Sequence, residues 1–314
     1  MMRSESVREA YGQALVELGQ ENQKVVVLDA DVSNSTRSVL FGRKFPERFF
    51  NVGIAEANMM SMAAGMAACG KIPFANTFSF LAALRAADCV RSLIAYNNLD
   101  VKIAGAYSGL SDSKDGPSHQ SICDIAIMRS LPNMTVVVVA DAYETKIAVK
   151  KVADYKGPVF LRLSRAELPV IFDQKHKFEI GKGNLLKQGK DVSIIAVGYM
   201  VHKSLEAAKI LADKGADAEV IEIHTIKPID KDIIIKSAKK TAAVVTAEEH
   251  SVIGGLGSAV AEVLVNSNPT RIEFIGIKDT FAESGEYEPL LSKYGLDASS
   301  IAKASLNAMS QERK

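Results

Sequence analysis

Four short segments carry residue types that could do chemistry together. The first is Asn51-Val52-Gly53-Ile54-Ala55-Glu56-Ala57-Asn58, followed by a small apolar run from Met59 to Gly70. It sets one carboxylate, Glu56, at an expected strand-to-helix junction with little that is polar behind it. A buried carboxylate there must be paired, protonated or bonded to a nitrogen. The plainer reading is an acidic residue favoured by a helix N-terminus. The second segment, Asn76-Thr77-Phe78-Ser79-Phe80-Leu81, ends an expected strand. Open parallel sheets place ligands at that end, where an aromatic either stacks on a flat heterocycle or packs in the core. The third, Lys114-Asp115-Gly116-Pro117-Ser118-His119-Gln120, puts an imidazole on a stiff Gly-Pro turn beside Asp115, an arrangement suited to proton transfer near neutral pH. A histidine alone is usually structural, so its weight comes from its neighbours. The fourth, Leu161-Arg162-Leu163-Ser164-Arg165, ends another strand. Its guanidinium suits either an anion clamp or a structural ion pair.

The elements that must position these segments follow from periodicity. Short β-branched runs alternate with amphipathic stretches, the pattern of parallel α/β architecture. Strands are expected at 25–31, 72–78, 101–107, 135–141 and 159–165, and helices at 6–19, 55–69, 82–97 and 143–155. Ser6 and Glu9 have the spacing of a capping box. Residues 167–190 lose periodicity and gain Pro169, Gly181, Gly183 and several lysines, as a linker would. A second series then gives strands at 191–200, 218–223, 242–248 and 271–277, with helices at 202–214, 231–240 and 256–265. The expectation is two parallel or mixed-sheet α/β domains, 1–166 and 191–314, joined by 167–190. The cluster Gly254-Gly255-Leu256-Gly257 lacks the third glycine of a dinucleotide fingerprint and reads as a strand-to-helix turn. That leaves hydride transfer by a Rossmann enzyme a distant reading.

Composition narrows the function classes. The chain has 314 residues, room for about two domains, and a net charge of +1. No basic block interleaved with aromatics suggests a nucleic-acid groove. Cys69, Cys89 and Cys123 are odd in number and widely spaced, which fits reduced thiols and argues against a zinc site. The start, Met1-Met2-Arg3-Ser4-Glu5-Ser6, leads into a charged helix instead of a signal peptide. The longest apolar stretch is broken at Gly70, Lys71 and Pro73, too early to span a bilayer. A cytoplasmic protein without membrane or nucleic-acid partners is expected.

In their order and spacing, the four segments resemble the pyrimidine-binding domain of transketolases, and the series after Asp191 resembles the transketolase C-terminal domain. The pairing of Gly53-Ile54-Ala55-Glu56 with Asp115-Gly116-Pro117-Ser118-His119-Gln120 is the specific part. The resemblance implies thiamine diphosphate as cofactor, with Glu56 bonding its pyrimidine and activating it. It also implies Phe78 lying against that ring, with Phe80 and Leu81 near the place of the family's second stacking aromatic. Asp115 and His119 would contact sugar hydroxyls, and Arg165 the phosphate end. Such an enzyme moves a two-carbon ketol unit from a ketose to an aldose, as in the pentose phosphate pathway, with His119 carrying protons. Tyr107 stands where the family usually has a histidine, beside the expected substrate.

Full-length transketolases carry a Gly-Asp-Gly motif and a downstream Asn that hold magnesium and the diphosphate. This chain has no Gly-Asp-Gly and no metal ligands of its own are expected. The resemblance therefore implies the C-terminal subunit of a split transketolase. Magnesium would be bound mainly by a separate N-terminal subunit, in an assembly of the α2β2 kind. Two rivals stand beside it. One is the β subunit of the decarboxylating component of a 2-oxo acid dehydrogenase, against which the 115–120 segment speaks. The other is a non-catalytic stabilising subunit, which would be expected to have lost Glu56 or His119.

Overall fold

The computed structural model describes residues 3–310, so Met1 and Met2 of the expected N-terminal lead lie outside it. Strands run in the order β1 (Ser4–Ser6), β2 (Val25–Asp29), β3 (Phe49–Asn51), β4 (Ile72–Phe78), β5 (Lys102–Ala106), β6 (Thr135–Val138) and β7 (Val159–Arg162). They continue as β8 (Glu167–Pro169), β9 (Asn184–Lys187), β10 (Val192–Ala196), β11 (Ala218–Glu222), β12 (Thr225–Lys227), β13 (Ala243–Ser251) and β14 (Arg271–Ile277). The first sheet has the order β12-β6-β7-β5-β4-β2-β3 and is parallel except for β12. The second has the order β14-β13-β10-β11-β9 and is parallel except for β9. Two α/β units with parallel or mixed sheets are thus observed, as expected.

Central strands such as Val25–Asp29 and Val192–Ala196 are buried from end to end, as parallel sheets covered on both faces require. Along β10 the side chains alternate: Val192, Ile194 and Ala196 join the core beneath helices Met200–Asp213 and Ala298–Ser310, while Ile195 joins the one beneath Lys231–Thr241 and Leu256–Val265. The first helix, Val7–Glu21, starts where its capping residues predict, with Ser6 Oγ accepting from the Glu9 amide at 3.3 Å. It buries Val7, Tyr11, Leu15 and Leu18.

Three expectations need correction. Residues 167–190 are not a plain linker: β8 pairs with β1, and β9 forms an edge of the second sheet. Strands this short show no period that could be read in sequence. The expected helix 82–97 is a succession of π-helical turns, Leu81–Arg85 and Val90–Ala95, around Ala87–Cys89. Small residues Ala82, Ala83 and Ala86 let this segment sit tightly on the core, and wide turns of this kind are frequent at functional sites. Finally, β12 belongs by sequence to the second unit yet pairs with β6 of the first sheet, so the two units share an edge.

The glycine cluster forms a strand-to-helix turn, as expected. Gly254 has a φ of 78°, and the amides of Leu256 and Gly257 donate to the Glu248 carboxylate at 2.7 and 2.8 Å. A side chain already fills the helix N-terminus that a phosphate would need. No helix among the described residues is long and apolar enough to cross a membrane.

Candidate functional site

Glu56 opens helix Glu56–Ala68 and is buried, with 2% of its surface exposed. Gly53, at a φ of 73°, makes the turn that delivers it, a conformation glycine adopts without strain. Met59, Met60, Ala63 and Ala64 bury the helix face behind the carboxylate. The carboxylate is not unpartnered: Arg85 Nη1 lies 3.2 Å from both of its oxygens. Of the alternatives open to a buried carboxylate here, the structure shows the paired one. Arg85 is brought there by the π-helical turn that displaced the expected straight helix, and its side chain is 55% exposed. It can swing into solvent without disturbing the core.

The carboxyl ends of β4, β5 and β7 bring the other segments together. Phe78 and Tyr107 have ring centroids 4.5 Å apart, and His119 lies 6.1 Å from Phe78 and 5.8 Å from Phe80, edge-on to both. Leu81 is buried at the start of the first π-helical turn. The imidazole Nδ1 is 3.0 Å from Ser118 Oγ. Asp115 is not its partner, as the sequence suggested. That carboxylate instead approaches Arg165, at 3.6 Å.

Tyr107 sits at a φ of 63°, an outlier for a bulky residue and the kind of strain that persists where surroundings over-determine it. Two guanidinium groups lie against its side chain. Arg8 and Arg165 lie 5.1 and 5.0 Å from the centre of its ring, and Arg8 Nη1 donates to its hydroxyl at 3.1 Å. Arg8 otherwise donates to neutral acceptors, the carbonyls of Ser35 at 2.6 Å and Arg165 at 3.3 Å. Burial, then the nearby Arg37 and Arg165, hold its pKa below the ordinary arginine value, although Tyr107 opposes this. Arg165 is closely paired with Asp112. Burial pushes the Asp112 carboxyl up to about 6, helped by Asp115 and opposed by Arg165. One oxygen of Asp112 has no partner.

The second unit holds the loop that carries Asp115 and His119. The Leu110 amide and the Tyr287 hydroxyl donate to the Glu249 carboxylate at 2.6 and 2.9 Å. Gln120 Nε2 donates to the Glu283 carbonyl at 3.0 Å, and the Gly285 amide to Ser113 at 2.9 Å. A Cβ on Gly109 would fall 2.5 Å from Glu249, so this contact excludes a side chain. Behind it, Arg162 Nε donates to Asp124 at 2.8 Å, and Arg162 Nη2 to the Glu249 carbonyl at 3.0 Å.

Burial raises Glu249 to about 7 from an ordinary 4.5, against the pull of Arg162 and its hydrogen bonds. Because the folded pKa is the higher one, the contribution of Glu249 to stability is most favourable at acid pH and falls as pH rises from about 4.5 to about 7. The loss is on the order of 3 kcal/mol. Glu249→Gln keeps an acceptor for Leu110 and should flatten this part of the profile. Urea midpoints of both proteins at pH 5 and pH 8 check it; parallel profiles would contradict it.

Residues 4–170 match the transketolase pyrimidine-binding domain family and residues 181–301 the transketolase C-terminal domain family. The chain belongs to the transketolase family. It is 48% identical over 309 residues to the putative transketolase C-terminal section of Methanocaldococcus jannaschii, covering 98% of this chain and 97% of that one. It is 42% identical to the 6-deoxy-6-sulfo-D-fructose transketolase subunit SqwH of Clostridium sp., over 95% of this chain and 92% of the relative. A solved structure described as a split gene transketolase, inactive beta4 tetramer, superimposes with a TM-score of 0.90 at 52% identity, covering 97% and 98% of the two chains.

Within this transketolase-family chain, Phe78, Phe80, Tyr107, His119, Asp115 and Arg165 meet around one corner of the first sheet. Glu56 lies on the helix packed against β4. Sequence reading missed Arg8, Arg85, Asp112 and Glu249. Arg8 did leave a signal: a cation in the first turn of a helix opposes the dipole, so some other role must hold it there. The remaining three find their partners across long sequence separations and left none.

Proposed function

We propose that this chain is the C-terminal subunit of a two-chain transketolase, supplying the pyrimidine and sugar sides of a thiamine diphosphate site. The observation that carries this reading is the buried Glu56 carboxylate at a helix N-terminus, packed against the strand that ends in Phe78. The residues fit the cofactor. Glu56 offers a carboxyl group to a ring nitrogen, half-buried Phe78 and Phe80 offer ring faces and Leu81 an apolar edge, and Thr77 Oγ1 is buried without a partner. When bound, thiamine diphosphate would supply a nucleophilic carbon for two-carbon transfer. Glu56 bonds and orients the pyrimidine, and Arg85 must yield at least one of the carboxylate oxygens for that bond to form. His119 moves a proton at the sugar hydroxyls, its Nδ1 held by Ser118. Arg8 and Arg165, both close to the Tyr107 ring, receive the anionic end of the sugar.

Magnesium and the diphosphate fall to a separate N-terminal subunit, since this chain lacks Gly-Asp-Gly, and an α2β2 assembly would complete the sites. The relative solved as an inactive tetramer of β chains supports a need for a partner. Mixing this chain with such an N-terminal subunit, cofactor and magnesium should give two-carbon transfer between sugar phosphates. Reduction of lipoyl groups from a 2-oxo acid instead would place the complex among the dehydrogenases.

His119 should be separable from cofactor binding. His119→Ala in the reconstituted complex is expected to slow turnover of sugars by about 10²–10⁴-fold, the usual weight of a positioned acid–base group. Cofactor affinity should stay unchanged, because the imidazole meets the Phe78 and Phe80 rings only by its edge. Steady-state rates and cofactor titration on the same preparation check this. Lost cofactor affinity with normal sugar kinetics would contradict it.

A further inference from the structure

One buried cluster plays no part in the site above. It lies where the two units meet, built from Glu144 on helix Ala142–Asp154, His176 on the connecting segment and Glu222 at the end of β11. Both carboxylates are fully buried and the imidazole is 4% exposed. One oxygen of each carboxylate is held from behind. The Ala140 amide donates to Glu144 Oε2 at 2.7 Å, and Asn184 Nδ2 to Glu222 Oε2 at 3.0 Å. The other oxygens remain for the cluster. Glu144 Oε1 is 3.0 Å from His176 Nε2, and Glu222 Oε1 has no hydrogen-bond partner. One ligand atom from each of the three residues can be chosen so that all lie within 4.8 Å of one another.

Two adjoining carboxylates without a cation between them are among the costlier arrangements a core can hold. Among the described residues, no lysine or arginine makes an ion pair with either one. An imidazole nitrogen with two carboxylate oxygens is the donor set of zinc-class dications, whereas calcium and magnesium prefer oxygen alone. The amide and carboxamide donors do what an outer shell does, fixing each carboxylate so that one oxygen points inward. Stacking of the His176 ring on Phe172, with centroids 3.7 Å apart, fixes the imidazole plane.

We propose that Glu144, His176 and Glu222 bind one zinc-class dication that ties the two units of the chain together. Bonds of about 2.0–2.2 Å would draw the three ligand atoms closer together. His176 Nε2 gives its lone pair to the metal, and the proton it shares with Glu144 leaves to solvent. The ligands come from three distant segments, which explains why no spacing motif announced them.

The test uses the full chain, stripped with a chelator, reloaded with zinc and passed through gel filtration. Elemental analysis should find one zinc per chain, and the thermal midpoint should rise by several degrees. Cobalt in place of zinc should give visible absorption bands that are absent without protein. Glu222→Gln keeps the Asn184 contact while removing the charge. It should weaken metal binding at least 100-fold and abolish the thermal shift. Should that variant fail to fold, the cobalt spectrum and zinc stoichiometry of the unaltered chain still decide the matter. Less than a tenth of a zinc per chain, or zinc retained by Glu222→Gln, would overturn the proposal. The first result would mean that the two carboxyl groups simply share a proton.

Discussion

Glu56→Gln is expected to lower turnover of the reconstituted complex by at least about 10²–10⁴-fold, with the chain still folded. The substitution keeps the side chain's volume and an acceptor for Arg85, so the helix that begins at Glu56 should keep its packing on β4. What it removes is the group that can carry or share a proton with the pyrimidine. Exchange of the cofactor's thiazolium proton with deuterium reports that step without any sugar present. Exchange should slow in parallel with turnover. If it stays fast in the mutant, Glu56 merely caps a helix and the assignment of the cofactor site is wrong.

The second large effect concerns the sugar's far end. Arg165→Ala should raise the Michaelis constant for anionic sugars by roughly 10–100-fold, the weight of a charge-assisted hydrogen bond. Small neutral donors should be much less affected. The complication is Asp112, which loses its closest cation in this variant. Arg8→Ala leaves the Arg165–Asp112 pair in place, since the hydrogen bonds of Arg8 go to two carbonyls and the Tyr107 hydroxyl, and it should show the same selectivity. Equal losses on both substrate types would make these arginines structural and assign the anion to the partner subunit. Tyr107 offers a hydrogen bond where a histidine could have offered a charge. The preferred sugar is therefore expected to carry an anionic terminus.

Much of this corner was legible in the chain because its parts are local. A strand such as Ile72–Phe78 shows itself through its own apolar residues, and its end places Phe78. Ser6 and Glu9 announce the helix they cap. A Gly-Pro turn needs no distant partner to present His119. What stayed hidden depends on contacts between separated segments. The pairing of Arg85 with Glu56 follows from a π-helical turn, whose residues look like those of an ordinary helix. The hold of Glu249 on Leu110 joins the two units. Three-residue β12 crosses to the first sheet, and nothing in its sequence says which sheet will accept it.

On the proposed reading, this chain holds half of a cofactor site. Two charged phosphates need a metal and backbone donors, and the proposal assigns both to another polypeptide. Isothermal titration of thiamine diphosphate with magnesium into the purified chain, alone and then with the N-terminal subunit, tests this most directly. The chain alone should show no submicromolar binding, and the pair should bind tightly with one cofactor per pair of chains. Submicromolar binding by the single chain would contradict the account.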